Sequence, residues 1–402
     1  MLQYIIGNFR IFLFDIPIIG GIMMLTRIAE KSDVKNIRRI WENNRGASAF
    51  SGWFFDKVFY SGNAVVLKDD NDTVMCSSTI PYKMSFGGQE IDSSYIAGII
   101  ANPEDKTIKN IDILMADTLS FLKDKPIVFT VPEDYNLFER YGFSLCYEYK
   151  QYDIAPEDLP VFEFSGKMER PESADKETVE KLKKIYKRFT QNKNGYTIRE
   201  DNDWKLIIDD LYNNFGGKCA IYRNENDEIL GYILYVIRDS KMWVYELAYT
   251  RREGYEGLMA FIRMHENAIS RVILKMPSDD LSYLSFLNNR RSVSLCPFAM
   301  ARILDVKAIL KLYRDIAPEG LRLQIIDRAI EKNNHTFTFT KGDVITIETD
   351  ANVATDIGTF TQITLGYMSV DDAFSLGFIK GDVELLKELF KKQTTYVNML
   401  NA

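Results

Sequence analysis

YIAGIIANPEDKTIKNIDILMADTLSFLKDKPIVFTVPEDYNLFERYGF, residues Tyr95 to Phe143, reads as an apolar strand, a charged turn, an apolar-striped helix, a second strand and a short helix ending at Gly142. Ile96, Ile99 and Ile100 form the first strand, and Pro103 stops it. Ile111, Leu114, Met115, Thr118, Leu119 and Leu122 then recur at helical spacing, which predicts a helix with one buried face. Ile127 to Val131, after Pro126, has the β-branched composition of a buried parallel strand. A turn between a strand end and a helix N-terminus presents backbone N–H groups that lack an intrahelical acceptor, and such a turn suits phosphate.

At 402 residues the chain exceeds one ordinary domain, and two or three are expected. Hydrophobic residues at 46% and charged residues at 27% describe a soluble globular protein. A net charge of -7 argues against a nucleic-acid binder that works by neutralising phosphates, and an acidic surface suits a cationic substrate. Cys76, Cys146, Cys219 and Cys296 lie 70 or more residues apart with no CxxC pair. That pattern indicates neither a zinc site nor a small disulfide scaffold, and it fits a reduced, cytoplasmic protein. The two histidines, His265 and His335, are far apart in sequence and are read as structural, so no metal is expected.

Met1 to Ile22 is apolar but interrupted by Arg10 and Asp15, with no preceding basic segment. Translation is expected to begin at Met23 or Met24, which makes residues 1–23 a misassigned extension; the alternative is a membrane or partner anchor. A first domain follows over 24–152. Ser32 or Asp33 caps a helix that buries Val34, Ile37, Ile40 and Trp41, a second aromatic helix covers Trp53 to Phe59, and strands Ala64–Leu67 and Thr73–Ser78 pair across a polar turn. Phe143 to Tyr149 is its last strand. After a connector marked by Pro156, Pro160 and Pro171 the pattern repeats over 153–297, ending in Met242–Tyr249, a helix at Tyr255–Met264 and Val272–Met276. From 298 to 402 the texture changes: Arg302–Leu312 reads as helix, short alternating strands follow, and Val383–Phe390 is helical.

The runs SYIAGIIANPEDK (Ser94–Lys106), PEDYNLFERYGF (Pro132–Phe143), FAMARILDV (Phe298–Val306) and LGYMS (Leu365–Ser369), with the spacing between them, carry a resemblance to a known family. The chain resembles the GCN5-related N-acetyltransferases (GNAT), and more closely the enhanced intracellular survival group. The resemblance implies an α/β protein with two tandem GNAT folds followed by an α+β sterol-carrier-like domain. It also implies acetyl-CoA as co-substrate, a cationic amine such as an aminoglycoside, polyamine or lysine side chain as acceptor, no membrane or nucleic-acid partner, and a homo-oligomer, a hexamer in relatives.

Residue by residue, the resemblance places the thioester against the backbone of Ile99, Ile100 and Ala101. The family's Arg-x-x-Gly-x-Gly/Ala phosphate turn falls on Lys106, Lys109 and Ile111. The basic first position survives and both small residues are lost; a glycine replaced there costs roughly 1–2 kcal/mol of backbone strain, about tenfold in affinity. Lys106 and Lys109 either return charge to the phosphates or are ordinary solvated lysines. The family's tyrosine acid falls on Phe138, in FERYGF, which has no proton to give. Losing a general acid costs about 10²–10⁴ in rate, yet a thiol of pKa about 8.5 still leaves as thiolate near neutrality. Tyr135 or Tyr141 either substitutes for it or packs in the core. The family's base is the terminal carboxylate, here on Ala402, two residues beyond the usual end.

In the second domain, Thr250–Leu258 (TRREGYEGL) is one residue too long for such a turn and reads as a surface helix start. Two functions follow: an acetyl-CoA-dependent amine N-acetyltransferase with an altered site, or a non-catalytic binding or assembly protein that kept the fold. Lipid carriage by the C-terminal domain has only the name of its fold behind it.

Overall fold

The computed structural model of the protein describes residues 18–19, 22–69, 72–287 and 292–399. The expected N-terminal extension therefore lies almost wholly outside the described residues. The chain divides into two compact units, one of Met1–Thr79 with Gly98–Phe121 and one of Ile80–Ala97 with Leu122–Ala402.

In the first unit, β1 (Ile22–Ile28) leads into α1 (Val34–Arg45) and α2 (Ala49–Lys57), followed by β2 (Ala64–Asp69) and the start of β3 (Asp72–Phe86). The end of β4 (Gln89–Ala101) then enters α3 (Ile108–Phe121). β1 pairs antiparallel with β2, and β2 with β3. α1 buries Ile37, Ile40 and Trp41, as their spacing predicts. Asp33 stands at the N-cap but does not cap the helix with its side chain. Its carboxylate instead takes Arg27 at 2.7 and 3.0 Å, Lys68 at 3.3 Å and the Glu30 N–H at 2.8 Å. Burial opposes ionisation of Asp33, but these donors outweigh it and hold the carboxyl below its usual range. The second helix begins at Ala49, earlier than the aromatic run at Trp53 suggests, because Ser48 caps it by accepting from the Ser51 N–H.

In the second unit, β3 and β4 form a hairpin turned by Gly87 and Gly88 at φ +56° and +77°, which sequence reading did not anticipate. β5 (Ile127–Thr130), α4 (Tyr135–Glu139) and β6 (Ser144–Ile154) follow. The second domain supplies α5 (Lys176–Thr190), α6 (Asp201–Asn213), β7 (Lys218–Arg223), β8 (Ile229–Arg238) and β9 (Lys241–Tyr249). It closes with α7 (Arg252–Arg263) and β10 (Arg271–Pro277), and β9 pairs parallel with β10. That parallel pair repeats the parallel pairing of β4 with β5.

The reading of Arg302–Leu312 as one helix is corrected. β11 (Ser292–Ile303) is a strand through Arg302, and α8 (Val306–Lys311) begins only after Asp305, whose side chain accepts from the Ala308 N–H. The expected boundary at 297/298 thus falls inside a strand. β11 lies antiparallel between β5 and β6, and β6 continues antiparallel to β10, so one hydrogen-bonded sheet joins strands of both repeats. The C-terminal region adds a five-stranded sheet of β12 (Arg322–Ile326), β13 (Thr336–Thr340), β14 (Asp343–Ile347), β15 (Val353–Asp356) and β16 (Ile379–Gly381), in the order β14–β13–β12–β15–β16. Helix α9 (Ile357–Leu365), ended by Gly366 in the left-handed conformation, packs on β6 and β11. Ser369 caps the next helix, α10 (Val370–Ser375), by accepting from the Asp372 N–H.

Candidate active site

The first unit builds the turn that sequence reading singled out. In the second unit, the parallel ladder between β4 and β5 covers Ser93–Ile96 against Ile127–Thr130, and the Thr130 hydroxyl closes it by donating to the Ile96 carbonyl at 2.9 Å. β5 ends there, while β4 continues to Ala101 through Gly98, whose φ of +126° only glycine adopts without strain. Asn44 on α1 holds the strand end by donating to the Ala101 carbonyl at 2.7 Å, and the Asn102 N–H reaches the Val74 carbonyl at 3.0 Å.

Pro103–Asp105 then forms one 3₁₀ turn. The Thr107 side chain accepts from the Asn110 N–H at 3.2 Å, and the Asn110 amide donates to the Asp105 carbonyl at 2.9 Å. Helix geometry leaves the first-turn N–H groups of Ile108 and Lys109 without intrahelical acceptors. A phosphate is the natural partner of such a start.

Sequence-predicted residues fall into three places. Ile99, Ile100, Ala101, Lys106, Lys109 and Ile111 run in order along this strand end, turn and helix start. Lys106 and Lys109 are exposed, beside the exposed Glu104 and the half-buried Asp105, so the turn is charge-balanced. Ile111 is 3% exposed and shares the buried face of α3 with Leu114 and Met115. Its side chain is therefore occupied in the core, away from the solvent side of the turn.

Phe138 lies in the second unit on α4, which Asp134 caps through the Asn136 and Leu137 N–H groups. Its ring is buried edge-on to Phe143 at 5.4 Å. Tyr135 gives its hydroxyl to the Phe298 carbonyl at 3.1 Å, and burial pushes its pKa up. Tyr141 is buried, and its carbonyl accepts from Arg302. Gly142 has φ +77°, and a Cβ there would overlap the Arg302 guanidinium and Ile357. Ala402 lies outside the described residues.

The tail leading to it is described through Met399, and its anchorage was not foreseen. Thr394–Thr395 pairs parallel with Lys193–Asn194, and the Thr395 hydroxyl donates to the Cys146 carbonyl at 2.6 Å. The Tyr396 hydroxyl donates to Glu246 at 2.6 Å, Glu246 holds Arg199 at 2.8 and 3.1 Å, and Arg199 donates to the Asn398 carbonyl at 3.1 Å. Arg199 and Glu246 are buried. Burial pushes the Arg199 guanidinium down, but the Glu246 charge more than offsets this and keeps it ionised. Met399 packs against the core cluster that contains Met84, Phe86, Tyr95 and Phe129. The signal available in sequence was Glu246 itself, a lone acid in the apolar strand MWVYELAY.

In the second domain, Gly254 and Gly257 of TRREGYEGL are packing glycines: a Cβ on the first would overlap the Leu230 backbone, and on the second the Tyr222 ring. The reading of this run as a helix start agrees with α7. His265, in the turn just after α7, bonds the Phe261 carbonyl in the last turn of that helix at 2.9 Å. Among the described residues no cluster of metal-ligating side chains occurs, and no helix is long and apolar enough to cross a membrane.

Two separate acetyltransferase (GNAT) domain models match the chain, over residues 26–146 and 195–303, and a sterol carrier protein domain model matches residues 306–398. Three domains of this kind define an acyltransferase with a C-terminal sterol-carrier-like module. The chain belongs to the GNAT acetyltransferase superfamily, whose domains use acetyl-CoA as donor.

A search of curated proteins found no significant match. Among solved structures, the chain is similar to a conserved protein from Enterococcus faecalis V583, described as a "Probable N-Acyltransferase", with 21% identity, TM-score 0.83, and 94% of this chain and 99% of that one covered. A GCN5-related N-acetyltransferase from Anabaena variabilis matches with 16% identity, TM-score 0.78 and coverage of 93% and 99%. Eis1 from Mycobacterium abscessus matches with 16% identity, TM-score 0.76 and coverage of 93% and 99%. At these identities the likeness is one of fold, and it extends over the whole architecture.

Proposed function

We propose that the protein transfers the acetyl group of acetyl-CoA to a cationic amine, with an active site weaker than the family's usual one. The observation that carries this reading is the strand end, 3₁₀ turn and α3 start of the first unit, where first-turn N–H groups and two exposed lysines stand together at Lys106–Lys109. The loss of glycine at Ile111 does not count against it, because that side chain is buried in the core.

In this reading the pyrophosphate lies on the α3 start and the thioester carbonyl meets the backbone near Ile99–Ala101. The amine attacks the carbonyl carbon, the thiolate leaves, and the proton lost by the amine passes to a base, for which the terminal carboxylate is the family's candidate. Phe138 supplies no acid, so the coenzyme A sulfur leaves as thiolate. The chain's negative charge favours a polyamine, aminoglycoside or lysine-like acceptor.

A second reading, a non-catalytic protein on the same fold, is favoured by the buried phenyl ring at Phe138 and the commitment of the Tyr135 hydroxyl to Phe298. Thiol release measured with a panel of amines, for the native chain and Phe138→Tyr, separates the two. The first reading expects turnover that rises by at least about tenfold in Phe138→Tyr; no turnover in either protein favours the second. Assembly into a homo-oligomer belongs to the same proposal and is read by light scattering on eluted protein.

A further inference from the structure

A groove of about 650 Å³ opens on the second domain between the C-terminal half of α5 and the ends of β7, β8 and β9. Five of its lining side chains are cationic, Lys184, Lys187, Arg188, Arg223 and Arg251, against two acids, Asp227 and Glu228. In a chain of net charge -7 this is a local reversal of sign. Lys184, Lys187 and Arg188 stand at i, i+3 and i+4 and so share one face of α5. Basic residues complement a helix C-terminus, and that accounts for Lys187 and Arg188 in the last turn of α5. It does not account for Arg223 and Arg251, which face them from the strand ends.

The acids around the groove are already committed. Arg251 holds Glu228 at 2.5 Å and Glu253 at 2.7 Å, and Arg223 holds Glu169 at 3.0 Å and Asp227 at 3.5 Å. Arg188 donates to Gln191 at 2.6 Å, and Lys184 lies near enough to Glu228 to help keep it ionised, after Arg251 and Asn224. Among the described residues, Lys184, Lys187 and Arg188 make no ion pair with a carboxylate. The two arginines are thus braced in place by their partners, while three cations on the opposite wall are open to an added anion.

We propose that this groove binds a small molecule carrying two or more adjacent phosphate groups. The three α5 cations share one exposed helix face and offer several charged donors, which suits a ligand carrying more than one phosphate group. Ile229 and Leu230 add apolar floor for the rest of such a ligand. The site is separate in sequence and domain from the turn at Lys106–Lys109.

Inorganic pyrophosphate titrated into the full chain by calorimetry at constant ionic strength tests this, in parallel with two variants, Lys184→Ala/Lys187→Ala/Arg188→Ala and Lys106→Ala/Lys109→Ala. All five positions are solvent-exposed, and circular dichroism checks that the fold is kept. The expected result is saturable binding that falls at least about tenfold in the α5 variant and persists in the Lys106/Lys109 variant. Binding lost only in the Lys106/Lys109 variant would place the anion elsewhere and overturn the proposal. Absence of saturable binding to the native chain would overturn it as well.

Discussion

Removing the carboxylate of Asp327 should destabilise the fold severely, because it leaves a buried arginine without its counter-ion. Arg302 and Asp327 are both fully buried at the side chain, with Arg302 Nη2 at 2.8 Å from each carboxylate oxygen. Arg302 also donates to the Tyr141 carbonyl, and burial pushes its pKa down against the pull of Asp327. Asp327 further accepts from the Ala329 and Ile330 N–H groups at 3.0 and 3.1 Å and from Asn333 at 3.0 Å. Asp327→Ala therefore strands a buried cation and three neutral donors, and breaking a buried pair from one side costs about 3–5 kcal/mol. Arg302→Met leaves Asp327 its other three donors and should cost less. The double variant removes the stranded charge, so the pair should show a coupling of roughly 2–3 kcal/mol. Urea unfolding read from the midpoint at constant slope measures all three variants. A cost under about 1 kcal/mol for Asp327→Ala, or a double variant equal to the sum of the singles, would show that the pair does not act as a buried, mutually dependent unit.

Further expectations follow from the same physics. Tyr396→Phe removes the hydroxyl that Glu246 accepts in a buried site and should cost about 1–2 kcal/mol, with faster amide exchange confined first to residues 394–398; protection unchanged there would contradict the tail lock. Burial raises the Asp210 carboxyl to about 6, against the Asn214 hydrogen bond that lowers it. Its folded pKa stands above the unfolded value of 3.8, so the folded state binds more protons between about 4 and 6 and stability falls as pH rises through that window. Asp210→Asn should flatten this slope and raise stability at alkaline pH by about 3 kcal/mol, seen as a higher melting temperature; an unchanged pH slope would remove Asp210 as its source.

Local periodicity located the elements whose partners are near in sequence. Ile111 to Leu122 spelled out α3, and Ile127 to Val131 the parallel strand beside β4, because helix and strand periods are properties of a short window. Arg302 misled the same reading. A charged residue next to LDVKAIL looks like helix surface, and only Asp327, brought to it by folding, allows it to lie fully buried in a strand. The β3–β4 hairpin was hidden by the polar run KMSFGGQEIDSS, although its paired glycines were a turn signal in plain view. Tail anchorage was illegible for a different reason: Tyr396 meets Glu246 only through tertiary structure. At the turn, motif position suggested phosphate contact for Ile111, whereas its helical spacing with Leu114 and Met115 already placed its side chain in the core. The structure follows the spacing.

Acetyl transfer at the α3 turn is tested most directly by calorimetric titration of acetyl-CoA into the full chain and into Lys106→Ala/Lys109→Ala. Saturable binding in the micromolar range is expected, weakened about tenfold in the double variant. No binding at millimolar acetyl-CoA, or binding that the two substitutions leave unchanged, would contradict it.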